Sequence, residues 1–310
     1  MWIVKHRKIF YSLSAILIVV SIVALFVWGL KFGIDFKGGS LLEIAYTSNH
    51  PLVGDVTKAL EDAGITGSSI RPTGDTGYII RTPFLSPVEY SLAQTALTMG
   101  NTSTFDQKRF DSIGPTIGSE LQSKSIYAII LVILAIALFI MFAFRKVSRP
   151  VSSWKYGLIA LLALAHDVII PIGAFIFLGH FFGAEVDTLF VTAILVVLGF
   201  SVHDTIVVFD RVRENLRHLQ EQNTKEPFEE TVGKSIGQTL NRSINTSLTV
   251  VLVLLALFIL GPSVTHFFVL ALIIGVIAGT YSSIFIGSPL LVTLQKMQKP
   301  EVVAPPKKKR

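Results

Sequence analysis

Six long apolar runs set the rhythm of this chain: Ile9 to Leu30, Ile126 to Phe144, Trp154 to Leu178, Thr188 to Phe209, Ile244 to Leu260 and Phe267 to Leu294. At a helical rise of about 1.5 Å per residue, such runs match the roughly 30 Å hydrocarbon layer of a bilayer, so the pattern predicts six transmembrane helices. Between the first and second runs the period shortens. There, alternation and turn residues predict strands at Leu41 to Thr47, Ser69 to Pro72, Tyr78 to Thr82 and Thr104 to Ser112, with helices at Pro51 to Ala63 and Pro87 to Leu97. The order β-α-β-β-α-β is that of a small ferredoxin-like α+β domain. The chain thus divides into residues 1–31 (N-terminus and first span), 32–124 (α+β domain), 125–295 (spans two to six) and a basic tail, 296–310.

Charge orients this scheme. Lys5, His6, Arg7 and Lys8 precede the first span, and the links Arg145 to Lys155 and Arg211 to Arg242 are rich in Lys and Arg. The links Gly179 to Asp187 and Gly261 to His266 contain neither. By the positive-inside rule both termini lie in the cytoplasm and the α+β domain lies outside. The first run is too long for a signal-peptide core and no small-residue cleavage pattern follows it, so it reads as a retained span. The tail, ending PPKKKR, reads as a solvated end within reach of anionic lipid.

Composition agrees: 51% hydrophobic, 15% charged and a mean hydropathy of +0.62 describe a polytopic membrane protein. The net charge of +6 sits at the ends of the apolar runs, so topology accounts for it and nucleic acid need not. The absence of cysteine excludes disulfides, thiolate catalysis and cysteine-ligated metals. No motif for a cofactor, a metal or a catalytic triad stands out, and the chain does not read as an enzyme.

Against that background the ionisable residues inside the spans carry the chemistry. Asp204, with His203 beside it, falls within the fourth run, where a charge costs roughly 2.5–3.5 kcal/mol on insertion scales and therefore faces a bundle interior or a watery cavity. The plainer reading of Asp204 is a buried acid held by hydrogen bonds for packing, and that of His203 is a core histidine. If the fifth helix begins well before Ile244, then Gln238, Arg242, Asn245 and Thr249 form one polar stripe along it. An Arg242 guanidinium next to Asp204 would favour the charged acid, whereas desolvation would favour the neutral one. An acid poised between these can load and release a proton. Arg242 could instead snorkel to headgroups. His166 and Asp167 stand in the third run, about 20 Å from its Trp154 end, and either extend a proton path or pair with each other. Adjacent helical residues diverge by about 100°, which argues against both lining one narrow channel. Asp210 and Arg211 read as interfacial. Gly275, Gly279, Ser283 and Gly287 form a small-residue ridge for close helix packing, and Pro171 and Pro289 mark kinks or a broken turn.

Five stretches in order, GIDFKGGSLLEI from Gly33, DSIGPTIGSEL from Asp111, LLALAHDVIIPIG from Leu161, SVHDTIVVFDRVREN from Ser201 and TLNRSINTSLT from Thr239, closely resemble the SecF branch of the SecD/SecF family, within the resistance-nodulation-division superfamily. The resemblance covers nearly the whole chain. It implies a bacterial inner-membrane subunit that pairs with SecD in a twelve-span unit, works with the SecYEG channel and with YajC and YidC, and draws SecA-driven preproteins outward at the expense of the proton-motive force, or of a sodium gradient in some marine relatives. It also implies that Asp204 and Arg242 are the coupling residues, with His166, Asp167, His203, Gln238 and Asn245 as polar support. His203 stands where relatives often carry Asn, and the link before Arg242 is a few residues longer. Three other readings compete. One is an intramembrane aspartyl hydrolase using Asp167 and Asp204, which lacks the GxGD pattern. The second is a passive scaffold in which Asp204 and Arg242 are a fixed pair. The third is a small-molecule efflux subunit, whose outside domain would be far larger.

Overall fold

A computed structural model describes residues 2–145, 151–224 and 226–297. In chain order its elements are α1 (Trp2–Lys5), α2 (Arg7–Trp28), α3 (Ile34–Lys37), β1 (Gly39–Ser48), α4 (Val53–Asp62), β2 (Ser69–Thr73), β3 (Gly77–Thr82), α5 (Pro87–Leu97) and β4 (Thr104–Ile113). They continue with α6 (Pro115–Ala143), α7 (Ser153–Phe182), α8 (Thr188–Glu221), α9 (Phe228–Leu260), α10 (His266–Tyr281), a π-helical turn (Ser282–Gly287) and α11 (Ser288–Lys296). Six helices among the described residues are long and apolar enough to cross a membrane: α2, α6, α7, α8, α9 and the interrupted α10–α11 rod. The tail beyond Met297 and the middle of the link from Arg145 to Lys155 lie outside the described residues.

Three helix boundaries differ from the expected runs because polar residues are helical too, and the broken turn expected at Pro289 is present. Beyond the apolar stretch α8 continues to Glu221, where Arg211–Glu214 (2.6 Å) and Arg217–Glu221 (2.8 Å) pair one turn apart. Ahead of it α9 starts at Phe228, after Pro227. Similarly α6 opens at Pro115, whose fixed φ suits a first turn, so residues assigned to the small domain are already helical. The sixth span is broken: Pro289, which has no N–H to give, stands in the first turn of α11 directly after the π turn. Pro171 is accommodated inside α7.

The helical unit buries α7, α8 and the α10–α11 rod and leaves α2, α6 and α9 at its margin. Small residues set the approach of its helices. A Cβ on Gly275 would lie 2.3 Å from Val197 Cγ2, and one on Gly279 would lie 2.8 Å from Ser201 Cβ, so α10 rests directly on α8. The close-packing role expected of that ridge is visible at these two glycines. At one end the rings of Phe144, Tyr156 and Phe209 stack and cross among Val208, Val212, Phe228, Val232 and Leu291.

The smaller unit comprises Lys31–Tyr127 together with Glu185–Thr188, a segment that the hydropathy pattern treats as a link. Its four strands form one antiparallel sheet in the order β2-β3-β1-β4. Alternation sends Leu42, Ile44 and Tyr46 of β1 and Tyr78 and Ile80 of β3 to one face, where Val56 and Leu60 of α4 and Ala93 and Leu97 of α5 cover them. Gly38 and Gly39 lead into β1 at φ +75° and +136°. A Cβ on Gly38 would meet Pro115 Cα at 2.7 Å and one on Gly39 the Thr82 carbonyl at 2.8 Å, so this paired glycine is required by both torsion and space.

Tyr46 closes the core by donating a hydrogen bond to the Leu97 carbonyl at 3.0 Å. Burial, with Tyr78 beside it, pushes its hydroxyl up from the ordinary value near 10 to about 12. Its contribution is therefore complete below about pH 10, where the unfolded chain keeps its proton, and is lost as pH rises towards 12. Tyr46→Phe is expected to lower stability by about 0.5–1.5 kcal/mol near neutrality and to lessen the alkaline loss, as read by thermal unfolding of the detergent-solubilised chain across that window.

Candidate functional site

Helix α8 turns Ser201, Asp204, Thr205 and Val208 inward, three to four residues apart, and so carries a carboxylate into the packed interior. Asp204 is 5% exposed. Opposite it α9 presents Thr231, Ser235, Thr239, Ser243 and Ser247, all buried and each four residues from the next. Such a ladder can be buried because it satisfies itself. Ser235 donates to the Thr231 carbonyl (2.7 Å), Thr239 to that of Ser235 (3.0 Å) and Ser247 to that of Ser243 (2.8 Å). The hydroxyls of Ser243 and Ser247 act on the Asp204 carboxyl, yet Asp204 Oδ2 and Ser243 Oγ are both buried without a hydrogen-bond partner among the described residues. A charged carboxylate is costly there, and a bound proton removes the charge and gives the acid a hydrogen to donate.

The stripe expected to meet Asp204 lies elsewhere. Gln238, Arg242, Asn245 and Thr249 are all exposed, on a different face of α9 from the Ser/Thr ladder. Among the described residues Arg242 makes no ion pair with Asp204 and acts on it only through space. The physical reason is that back-bonded hydroxyls enter an apolar interface more cheaply than a guanidinium or a primary amide. Gln238 instead accepts from Arg211 Nε (2.7 Å) and Asn215 Nδ2 (2.8 Å), tying α9 to the polar end of α8. His203 is exposed, not the core histidine expected, because it sits a helical step away from the inward face. Asp210 and Arg213 form a half-exposed pair one turn apart.

His166 and Asp167 do come together. His166 Nδ1 lies 2.9 Å from Asp167 Oδ1, so divergent side chains of neighbours can still meet when one is a long imidazole. Asp167, wholly buried, also accepts at Oδ2 from the hydroxyls of Ser201 on α8 and Ser282 in the π turn, the latter at 2.9 Å. His166 Nε2 lies 3.1 Å from Ser14 Oγ on α2. This chain of hydrogen bonds joins four segments far apart in sequence. Ser14, Ser201 and Ser282 escape a reading of the sequence because serine in a span is usually back-bonded. The only signal for them is that a buried acid must find donors somewhere.

In the smaller unit the acid of GIDFKGG has a definite task. Asp35 Oδ2 accepts from the Thr188 backbone N–H at 2.9 Å and from its hydroxyl, capping the start of α8 from a distant part of the chain. Around it Val186 N donates to the Lys31 carbonyl (2.7 Å), Gly33 N to that of Val186 (2.9 Å), and Arg81 pairs with Glu185 at 3.0 Å.

Residues 93–297 match the family model described as "Protein export membrane protein SecD/SecF, C-terminal", and residues 23–49 match that of the "SecD/SecF GG Motif". The chain belongs to the SecD/SecF family. It is 43% identical over 305 residues to protein translocase subunit SecF of Thermobaculum terrenum, covering 94% of this chain and 93% of that one. Against protein translocase subunit SecF of Anaerolinea thermophila it is 39% identical over 291 residues, covering 94% and 92%. Among solved structures it resembles the crystal structure of SecDF, a translocon-associated membrane protein, from Thermus thermophilus, with a TM-score of 0.79 and 31% identity. That likeness covers 95% of this chain and 38% of the solved one, so a SecF-type chain accounts for well under half of that SecDF. The glycine pair named in the SecD/SecF motif is the Gly38–Gly39 pair whose torsions and clearances are given above, and Asp35 lies in the same stretch.

Removing the Asp35 cap tests whether this motif is a structural clasp. Asp35→Ala is expected to cost about 0.5–2 kcal/mol, while Asp35→Asn, which keeps an acceptor, retains most of the stability, as measured by thermal unfolding in mild detergent.

Proposed function

We propose that this chain is the SecF-type half of a SecDF-like complex that promotes Sec-dependent protein export across the bacterial inner membrane, and that protonation of Asp204 drives it. The observation that carries this reading is Asp204 itself: an acid inside the helical unit, facing hydroxyls of α9, with one carboxylate oxygen that has no hydrogen-bond partner among the described residues. Gaining a proton there removes a charge from an apolar interior and alters what α8 and α9 can offer each other. A membrane potential supplies about 2.3 kcal/mol per charge per 100 mV, enough to bias a two-state packing separated by a few kcal/mol.

The exposed face of α9 supports a partner. Arg242 and Asn245 cannot stand bare in hydrocarbon at no cost, and in this reading a SecD-type half covers them, bringing Arg242 into a shared interior. The SecDF likeness, of which this chain covers 38%, leaves ample length for that half. The lysine and arginine pattern supports a topology with both termini in the cytoplasm and the small domain outside. We read that domain, with α4 and α5 on one face of its sheet, as ferredoxin-like. It holds extended preprotein without catalysis, and β2 and β4, at the two edges of the sheet, are the strands to which an extended segment could be added. SecYEG, YajC and YidC are the further partners this role calls for.

The test is export into membrane vesicles that contain the whole complex. Asp204→Asn is expected to abolish stimulation by a proton gradient while the complex assembles at the wild-type level. Full stimulation in that variant removes the coupling, and loss of the complex instead of its stimulation supports a passive scaffold.

A further inference from the structure

The proton-coupled reading uses Asp204 and leaves a second buried acid unexplained. Asp167 is 0% exposed and its neighbour His166 3%. The carboxylate receives three contacts: His166 Nδ1 on Oδ1 at 2.9 Å, and the Ser201 and Ser282 hydroxyls on Oδ2. All three groups can donate, and an ionised carboxylate can accept all of them at once. The imidazole Nδ1 must then carry its hydrogen, which leaves Nε2 as the atom that can change. It faces Ser14 Oγ at 3.1 Å, and a hydroxyl can either donate or accept. Tyr281 lies against the same imidazole, ring centroids 6.0 Å apart, with its hydroxyl on the Phe10 carbonyl at 2.9 Å and in reach of Ser14.

We propose that the His166–Asp167 pair is a second proton-binding site, in which His166 Nε2 takes up the proton and Ser14 of α2 reverses from donor to acceptor. With Nε2 bare, Ser14 donates to it, and the pair holds one negative charge on Asp167. With Nε2 protonated, the imidazolium donates to both Ser14 Oγ and Asp167, the pair becomes net neutral, and the Ser14 hydrogen turns towards Tyr281 Oη. One proton is gained, Nε2–H is the only covalent bond made, and Ser14 alone reverses its hydrogen bonding. The titratable groups facing the imidazole are Asp167 from its own helix and Tyr281 from α10. Its contact from α2 is the Ser14 hydroxyl, while α8 and the π turn reach the pair through Ser201 and Ser282, and Asp204 lies one turn beyond Ser201. Proton occupancy is thus read by α2 through Ser14, while the carboxylate holds α8 and the π turn in place. This deepens the proton-coupled reading by giving the complex a second proton to bind, and it rests on that reading only for its use in export.

The experiment is pH-difference infrared spectroscopy of the purified complex in liposomes, from about pH 4 to about pH 9, following imidazole and carboxyl bands. In the wild type an imidazole transition is expected that His166→Gln removes and Asp204→Asn leaves in place. Ser14→Ala is expected to move its midpoint by about one unit, about tenfold in proton affinity, and Ser14→Thr to restore it. A wild-type spectrum whose imidazole bands do not differ from those of His166→Gln overturns the proposal, since the other histidines contribute equally to both. So does a midpoint indifferent to Ser14→Ala. Proton-driven export by Asp204→Asn is scored separately in vesicles, so failure of the Asp204 reading is not confused with failure at His166.

Discussion

Everything polar inside these helices must be answered by another part of the same bundle or by a partner, because lipid offers no hydrogen bonds. That constraint decides where the two acids stand. Asp167 is placed where α2, α7, α8 and the π turn can each contribute a group to its cluster. Asp204 is placed against a row of hydroxyls most of which donate to carbonyls of their own helix, and its Oδ2 has no hydrogen-bond partner among the described residues. One acid is fixed by its neighbours and the other is available.

The small domain obeys the same rule at the level of backbone. Two glycines in left-handed and extended-positive torsions bring β1 hard against Pro115 and the Thr82 carbonyl, and Asp35, a few residues earlier, answers the first N–H of α8. A short sequence motif therefore does two different jobs, one steric and one electrostatic.

The spans and the order of strands and helices between the first two were legible because hydropathy and alternation report directly on burial. Asp204 was legible for the same reason, since an acid in an apolar run is conspicuous. The face of α9 that meets it was not. Pattern reading scores Ser and Thr as polar and Arg242 as the natural partner of an acid, but in a helix the hydroxyls of Ser235, Thr239 and Ser247 are spent on carbonyls one turn back, and that makes the ladder the buriable side. The partners of Asp167 were hidden differently: Ser14, Ser201 and Ser282 are joined only by tertiary packing, and no periodicity along one helix connects them. The link Glu185–Thr188 was hidden because its role lies in a bridge with Phe32 and Gly33, set by backbone atoms that any residue would supply.

The break in the sixth span has a further consequence. A π turn holds a surplus residue, and one residue is worth about 100° of helical rotation. The side chains of α11 therefore stand turned by about that angle from where an unbroken α-helix would put them. Ser282, which opens this turn, is held by a buried carboxylate, and Pro289, which follows it, has no amide hydrogen to give back to the turn. The two halves of the rod thus offer their neighbours a pair of faces that one unbroken helix could not present together.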